Sequence, residues 1–136
     1  MSLSSFSEYE RFIYGLLDTH PEVVSSSLRL FSTSALTAIV EGQLTLRNGL
    51  EIRVMEVLDF KEKRIRNYSY AVYRTGEKIR WYDAQPHPEN PELASTFPHH
   101  FHAEPGIKRN RRPAPGISFS SPNLTVVIDD CRQLQE

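Results

Sequence analysis

The stretch that decides the fold runs from Leu36 to Phe60 and reads "LTAIVEGQLTLRNGLEIRVMEVLDF". Apolar residues alternate with polar ones in two runs, which meet at Asn48-Gly49. Alternation with a period of two is typical of strands that bury one face. Asn-Gly between two such runs indicates a hairpin turn. The stretch therefore predicts two antiparallel strands that share one face with the core.

The apolar pattern also predicts the length of this hairpin loop. A two-residue loop would set the apolar residues of the two strands on opposite faces. A three-residue loop with a left-handed Gly49 pairs Leu44 with Ile52 and keeps both apolar sets together. The three-residue loop is therefore the expected one.

A second hairpin is expected around Thr75-Gly76. A regular register from this turn pairs Tyr70 with Trp81 and makes these two residues cross-strand partners in the core. The same register sets four other side chains on the reverse face: Ser69, Tyr73, Arg80 and Tyr82.

Apolar residues at helical spacing predict a helix at each end of the chain. Ser121 as N-cap and Pro122 in the first turn indicate the start of the second helix. The predicted class is α+β, an antiparallel meander of four to six strands with an N-terminal helix, a long Pro/His-rich loop and a C-terminal helix. At 136 residues we expect a single domain. The expected segments are an N-terminal helix in 1–20, a sheet in 24–83, a Pro/His/Arg-rich loop in 84–120 and a C-terminal helix in 121–136.

Composition narrows the function classes. A net charge of −1 and a pI near 6.5 give no overall basic field for nucleic acid, so such binding would be local. The single Cys131 fits a reducing compartment. Neither a signal-peptide pattern nor an apolar run of about 20 residues is present. The sequence thus predicts a cytoplasmic protein without membrane association.

The most unusual chemistry lies in "TFPHHFH", Thr96 to His102, where three imidazoles occupy four positions. His87 precedes this cluster. The imidazoles could bind a metal, transfer protons, or hold a loop through hydrogen bonds. The spacing of the "HHFH" run does not match a strong zinc motif, and no cysteine pair accompanies it. We therefore expect neither a metal nor another cofactor.

Proton transfer is the second interpretation, since imidazole exchanges a proton near neutral pH. Metal-independent RNA cleavage needs a base for the 2′-hydroxyl, an acid for the leaving oxygen and cations for the charge on phosphorus. The candidate catalytic residues are Asp83, which can orient an imidazole, and His87, His99, His100 and His102. The candidate substrate-binding residues are Arg80, Tyr82, Lys108, Arg109, Arg111 and Arg112. The basic run can equally be a solvated loop or contact an acidic partner.

A set of short motifs resembles the TumE family of toxins from toxin–antitoxin systems. The shared elements run from about Ala38 to His102 and end in the Thr-Phe-Pro-His-His-x-His string. The others are Tyr68-Ser69-Tyr70, Gly76, Tyr82-Asp83 and Pro86-His87.

The resemblance implies a toxin whose partner is a helix-turn-helix antitoxin protein. RNA as the target is an inference from the His and Arg groups. The alternative is a non-catalytic module that binds a partner and uses its His loop for structure only. The oligomeric state stays open.

Overall fold

A sheet of eight strands dominates the computed structural model, which describes residues 3–84 and 91–134. The helices of this part of the chain are α1 (Phe6–Tyr14), α2 (Leu16–Thr19), a 3₁₀ helix (Pro91–Thr96) and α3 (Leu124–Arg132). The strands are β1 (Val23–Ser26), β2 (Arg29–Ser32), β3 (Thr37–Leu46), β4 (Glu51–Asp59), β5 (Arg64–Arg74), β6 (Glu77–Asp83), β7 (His100–Ala103) and β8 (Arg111–Pro113). The α+β class is confirmed.

The strands from β3 to β8 form an antiparallel meander, and both β1 and β2 pair with β3. The predicted register of the first hairpin is confirmed, because Leu44 lies opposite Ile52. The loop has three residues, and the Leu46 N–H donates to the Leu50 carbonyl at 2.8 Å. Gly49 has φ = 90°, a conformation that glycine adopts without steric cost.

The sheet is larger than the four to six strands expected. The stretch 84–120, predicted to be a long loop, contains the 3₁₀ helix, β7 and β8. Strands of four and three residues are too short to show a periodic pattern, so the sequence did not predict them. β8 reaches the sheet by pairing its backbone with β7.

Both terminal helices are shorter than predicted. The first begins after Ser5, whose Oγ accepts the Glu8 N–H at 3.2 Å. The second begins at Leu124, so Ser121 is not its N-cap. The residue before it, Asn123, is fully buried and bonds the backbone of Ser118 with both amide atoms, each at 2.9 Å.

The predicted register of the second hairpin is wrong beyond its turn. Tyr73 pairs with Lys78, which agrees with a register of Tyr70 opposite Trp81, but a bulge follows, and Val72 then pairs with Arg80. One extra residue in a strand reverses the face of every residue after it. The shift places Tyr82 in the core opposite Tyr70, and Trp81 on the reverse face.

One face of the sheet packs against α1 and α3. Their buried residues form a single apolar cluster with the strands: Tyr9, Phe12 and Ile13 from α1, and Leu124, Val127, Ile128 and Cys131 from α3. Burial raises the pKa of the Cys131 thiol to about 12. In residues 3–84 and 91–134, no helix combines the length and apolar character needed to cross a bilayer.

A carboxyl group lies inside this core. Glu56 takes a core-facing position of β4 and is fully buried. Tyr9 Oη donates to one carboxyl oxygen at 2.6 Å, and Tyr70 Oη donates to the other. Asn123 Nδ2 donates to Tyr70 Oη at 3.3 Å, which connects the network to the start of α3. Burial raises the pKa of Glu56, although the two tyrosine hydrogen bonds act in the opposite direction.

This raised pKa predicts a pH-dependent stability. At pH values below the ordinary glutamate pKa, Glu56 is protonated in both folded and unfolded chains. As pH rises toward the folded pKa, the unfolded chain releases its proton first, so the free energy of unfolding falls. Glu56→Gln, which keeps the shape and polarity, should remove this component. Urea unfolding of both proteins across the pH range measures it.

Glu51→Gln on the opposite face of β4 is the matched control and should keep the wild-type pH dependence. Parallel pH profiles for wild type and Glu56→Gln would contradict the assignment.

Candidate functional site

The pairing of β6 with β7 brings three of the predicted site residues together. Asp83 lies opposite His100, and Trp81 lies opposite His102. Alternate residues of a strand face the same way, so His100 and His102 project from one face with Asp83. This is the face away from α1 and α3. The three residues are named here the Asp–His cluster.

The ligand-type atoms of the Asp–His cluster converge within 4.8 Å of one another. His100 Nε2 lies 2.7 Å from Asp83 Oδ1, and His102 Nε2 lies 3.4 Å from Asp83 Oδ2. The two Nε2 atoms are 3.2 Å apart. One carboxylate thus faces two imidazoles through the same ring nitrogen of each.

Backbone carbonyls fix the other ring nitrogens of the Asp–His cluster. His100 Nδ1 lies 3.2 Å from the Pro98 carbonyl oxygen, and His102 Nδ1 lies 2.8 Å from that of Ile107. A carbonyl only accepts, so each Nδ1 carries a proton. Asp83, His100 and His102 are 7%, 1% and 4% exposed. The cluster is therefore buried, with both rings held in a defined orientation.

His99 diverges from the Asp–His cluster, as expected for the neighbour of His100 on an extended chain. Its Nδ1 lies 2.5 Å from Tyr68 Oη, and Phe119 packs on its ring. Tyr68 Oη also donates weakly to the Asp83 carbonyl oxygen at 3.4 Å, so His99 lies near the end of β6. Burial, and secondly the nearby His100, lower the pKa of the half-buried His99.

The four predicted basic residues of the loop separate in the structure. Arg111 on β8 lies opposite His102 and on its face of the sheet. Its Nε is buried and has no hydrogen-bond partner within residues 3–84 and 91–134. Arg112 points to the other face, and Lys108 and Arg109 are exposed in the turn before β8. The structure therefore brings one of these four cations next to the cluster.

The structure places Arg80 and Tyr82 on the other face of β6. Tyr82 is fully buried, and its Oη donates to Asp130 Oδ2 at 2.9 Å. Arg80 donates to Tyr82 Oη at 3.2 Å and stacks over Phe101. The bond to Asp130 connects β6 to α3, and none of these contacts involves an imidazole. His87 lies outside the described residues.

Comparison with known proteins identifies the family. A family model described as "Toxin TumE" matches residues 13–135, nearly the whole chain. The chain belongs to the TumE family. Membership gives it a toxin role and implies an antitoxin partner. No curated protein and no solved structure gives a significant match.

Three residues of the site in this TumE-family chain were not among the candidate catalytic or substrate-binding residues predicted from the sequence. Tyr68 bonds His99, and Trp81 stacks on the His102 ring at 4.9 Å. Thr96 Oγ1 donates to the His99 carbonyl at 2.6 Å and accepts the Ala114 N–H at 3.2 Å. Tyr68 and Thr96 belong to the motifs that resemble the family, and this was the only feature of the sequence that could have indicated a role at the site.

The ring geometry predicts a definite tautomer for the Asp–His cluster. In ¹⁵N NMR of the imidazoles, His100 and His102 should both be protonated at Nδ1, because each Nδ1 faces a carbonyl oxygen. Their Nδ1 protons should exchange slowly with solvent. His20, whose ring bonds two threonine hydroxyls near the surface, is the internal control and should exchange fast. A ring protonated only at Nε2 would contradict the described site.

Proposed function

We propose that this TumE-family toxin cleaves RNA, with imidazoles near Asp83 transferring the protons. The observation that supports this function is that one carboxylate, two imidazoles and the Arg111 side chain share one face of β6, β7 and β8, while the partly exposed His99 lies near the end of β6. Titratable groups in fixed mutual geometry beside a cation are what acid–base catalysis on a phosphodiester requires.

The reaction needs two proton transfers. A base removes the proton of the 2′-hydroxyl, and the 2′-oxygen then attacks phosphorus. The bond to the 5′-oxygen breaks, and an acid protonates that oxygen, which leaves a 2′,3′-cyclic phosphate and a 5′-hydroxyl. His99 suits such a role because its ring is partly exposed, and Arg111 can balance the charge that builds on phosphorus.

The buried residues of the site have supporting roles in this proposal. Asp83 orients His100 through the 2.7 Å contact and places negative charge behind both cluster imidazoles. His102 links the cluster to Arg111 across the β7–β8 pair. A catalytic role of His87 stays a prediction. Arg80 and Tyr82 act through the position of β6, since their contacts lie on its other face.

The partner in this proposal is a helix-turn-helix antitoxin, and both proteins act in the cytoplasm, where the RNA is. The family relation supports an antitoxin in general. The exposed Lys108, Arg109 and Arg112 suit contact with RNA or with an acidic surface of that partner.

A second candidate is a non-catalytic toxin that acts by binding its target. The burial of His100 and His102 supports it, because side chains 1% and 4% exposed do not reach a large substrate directly. In this case the imidazoles hold the loop segments at Pro98 and Ile107 against the sheet.

Inducible expression in bacteria, with and without an antitoxin gene, tests the catalytic proposal. Wild type should arrest growth and produce RNA ends with 2′,3′-cyclic phosphate. His99→Ala should lower the cleavage rate of purified protein by about a hundredfold or more, because a proton-transfer group contributes on this scale. Arg111→Ala should also slow cleavage.

Matched controls come from the same chain. His20→Ala removes an imidazole elsewhere, and Arg112→Ala removes the neighbouring cation on the opposite face of β8. Both should cleave RNA like wild type. Growth arrest by folded His99→Ala and Arg111→Ala at the wild-type level, without RNA cleavage, would reject catalysis in favour of target binding.

A further inference from the structure

The Asp–His cluster has the composition of a metal site. Two imidazoles and one carboxylate are a donor set that first-row transition metals such as Zn²⁺ and Fe²⁺ accept. We propose that Asp83, His100 and His102 bind one divalent transition metal ion through Asp83 carboxylate oxygen and the two Nε2 atoms. The remaining coordination position is left for water. This inference stands on the cluster alone and does not depend on RNA being the target.

The orientation of both rings supports the proposal. Each Nδ1 carries a proton toward a carbonyl oxygen, of Pro98 in one case and Ile107 in the other. In a neutral ring this leaves the lone pair on Nε2, and both Nε2 atoms point at Asp83. A histidine ligand of a metal commonly donates its other N–H to a backbone carbonyl, which fixes the tautomer. The cluster has this arrangement twice.

The distances also fit an ion at the centre. Metal–nitrogen bonds of about 2.0–2.1 Å in tetrahedral geometry place two ligand atoms roughly 3.3 Å apart. The two Nε2 atoms are 3.2 Å apart, and His102 Nε2 is 3.4 Å from Asp83 Oδ2. The 2.7 Å contact of His100 with Asp83 Oδ1 is shorter than this spacing and must lengthen if Oδ1 is the ligand atom.

A shared proton is the competing explanation. A single proton on His100 Nε2 can point at Asp83 or at His102 Nε2, but a hydrogen bond prefers an angle above about 150° to one acceptor. A metal ion uses all three donor atoms at once. The cluster is also held by backbone pairing of β6 with β7, so the three donors are positioned before any ion binds.

The fold explains why the sequence predicted no metal. The "HHFH" run lacks a zinc spacing when it is read alone, but on a strand His100 and His102 are two residues apart and share a face. The third donor, Asp83, comes from the neighbouring strand. Such a ligand set crosses two strands and leaves no local spacing motif.

Metal titration of the full chain tests the inference. Metal is first removed from the protein with a chelator, and the chelator is then removed. In calorimetry this protein should bind one Zn²⁺ per chain. Fe²⁺ under anaerobic conditions is the second probe. Mg²⁺, which prefers oxygen ligands, should bind far more weakly. His100→Ala, His102→Ala and Asp83→Asn should each weaken Zn²⁺ binding by about tenfold or more. His99→Ala and His20→Ala should retain it.

A measurement on wild type guards against variants that fail to fold. Zn²⁺ should shift the ring ¹⁵N signals of His100 and His102 at one equivalent, and leave those of His20 unchanged. Zn²⁺ should also raise the melting temperature, because a ligand of the folded state stabilises it. The proposed site would be overturned if folded wild type does not bind Zn²⁺ or if it binds Mg²⁺ equally well. Ring ¹⁵N signals of His100 and His102 that do not change on addition of Zn²⁺ would also overturn it. Binding unchanged in a folded cluster variant would identify an adventitious ion. Failure of RNA cleavage with intact Zn²⁺ binding would reject only the proposed reaction.

Discussion

One extra residue in β6 determines what each face of this sheet presents. The bulge opposite Val72 and Tyr73 turns Tyr82 into the core and directs Asp83 to the other face. Because β7 pairs with β6, its register follows, and His100 and His102 emerge on the side of Asp83. A regular strand would have turned the carboxylate toward the apolar core. The core packing of α3 and the chemistry of the cluster therefore share a single backbone irregularity as their origin.

The sequence predicts the first half of this fold well. In Leu36–Phe60 the apolar residues alternate strictly, so only one loop length keeps them on one face, and the structure has that loop. The second hairpin offers no such choice, because Trp81 and Tyr82 are both large aromatic residues and either can fill the core. The alternation of polar and apolar residues therefore does not predict the bulge. The two short strands that complete the sheet, β7 and β8, are joined to it by backbone pairing. Their side-chain pattern does not predict this pairing.

The site was predictable as a group of residues but not as a geometry. Asp83 and the imidazoles stand out by residue type, and the structure joins Asp83 with two of them. The two imidazoles that join Asp83 are selected by strand alternation within a Pro-rich stretch, which the sequence pattern does not predict. The contact of Tyr68 with His99 joins residues far apart in the chain and is equally unpredictable from local sequence. Glu56 gives a contrasting lesson. It occupies the core-facing phase of β4, between Val54 and Leu58, and a charge at that position was a readable sign of a buried polar network.

Cys131 gives the chain a built-in reporter of its own opening. The thiol is fully buried on α3, and burial raises its pKa to about 12, so almost no thiolate exists at neutral pH. The thiolate is the nucleophile that attacks an alkylating reagent, so alkylation proceeds only when α3 lifts from the sheet. The alkylation rate of the native protein therefore measures the frequency of that local opening without an engineered label. A slower rate in the presence of the antitoxin would show that the partner holds the C-terminal helix closed.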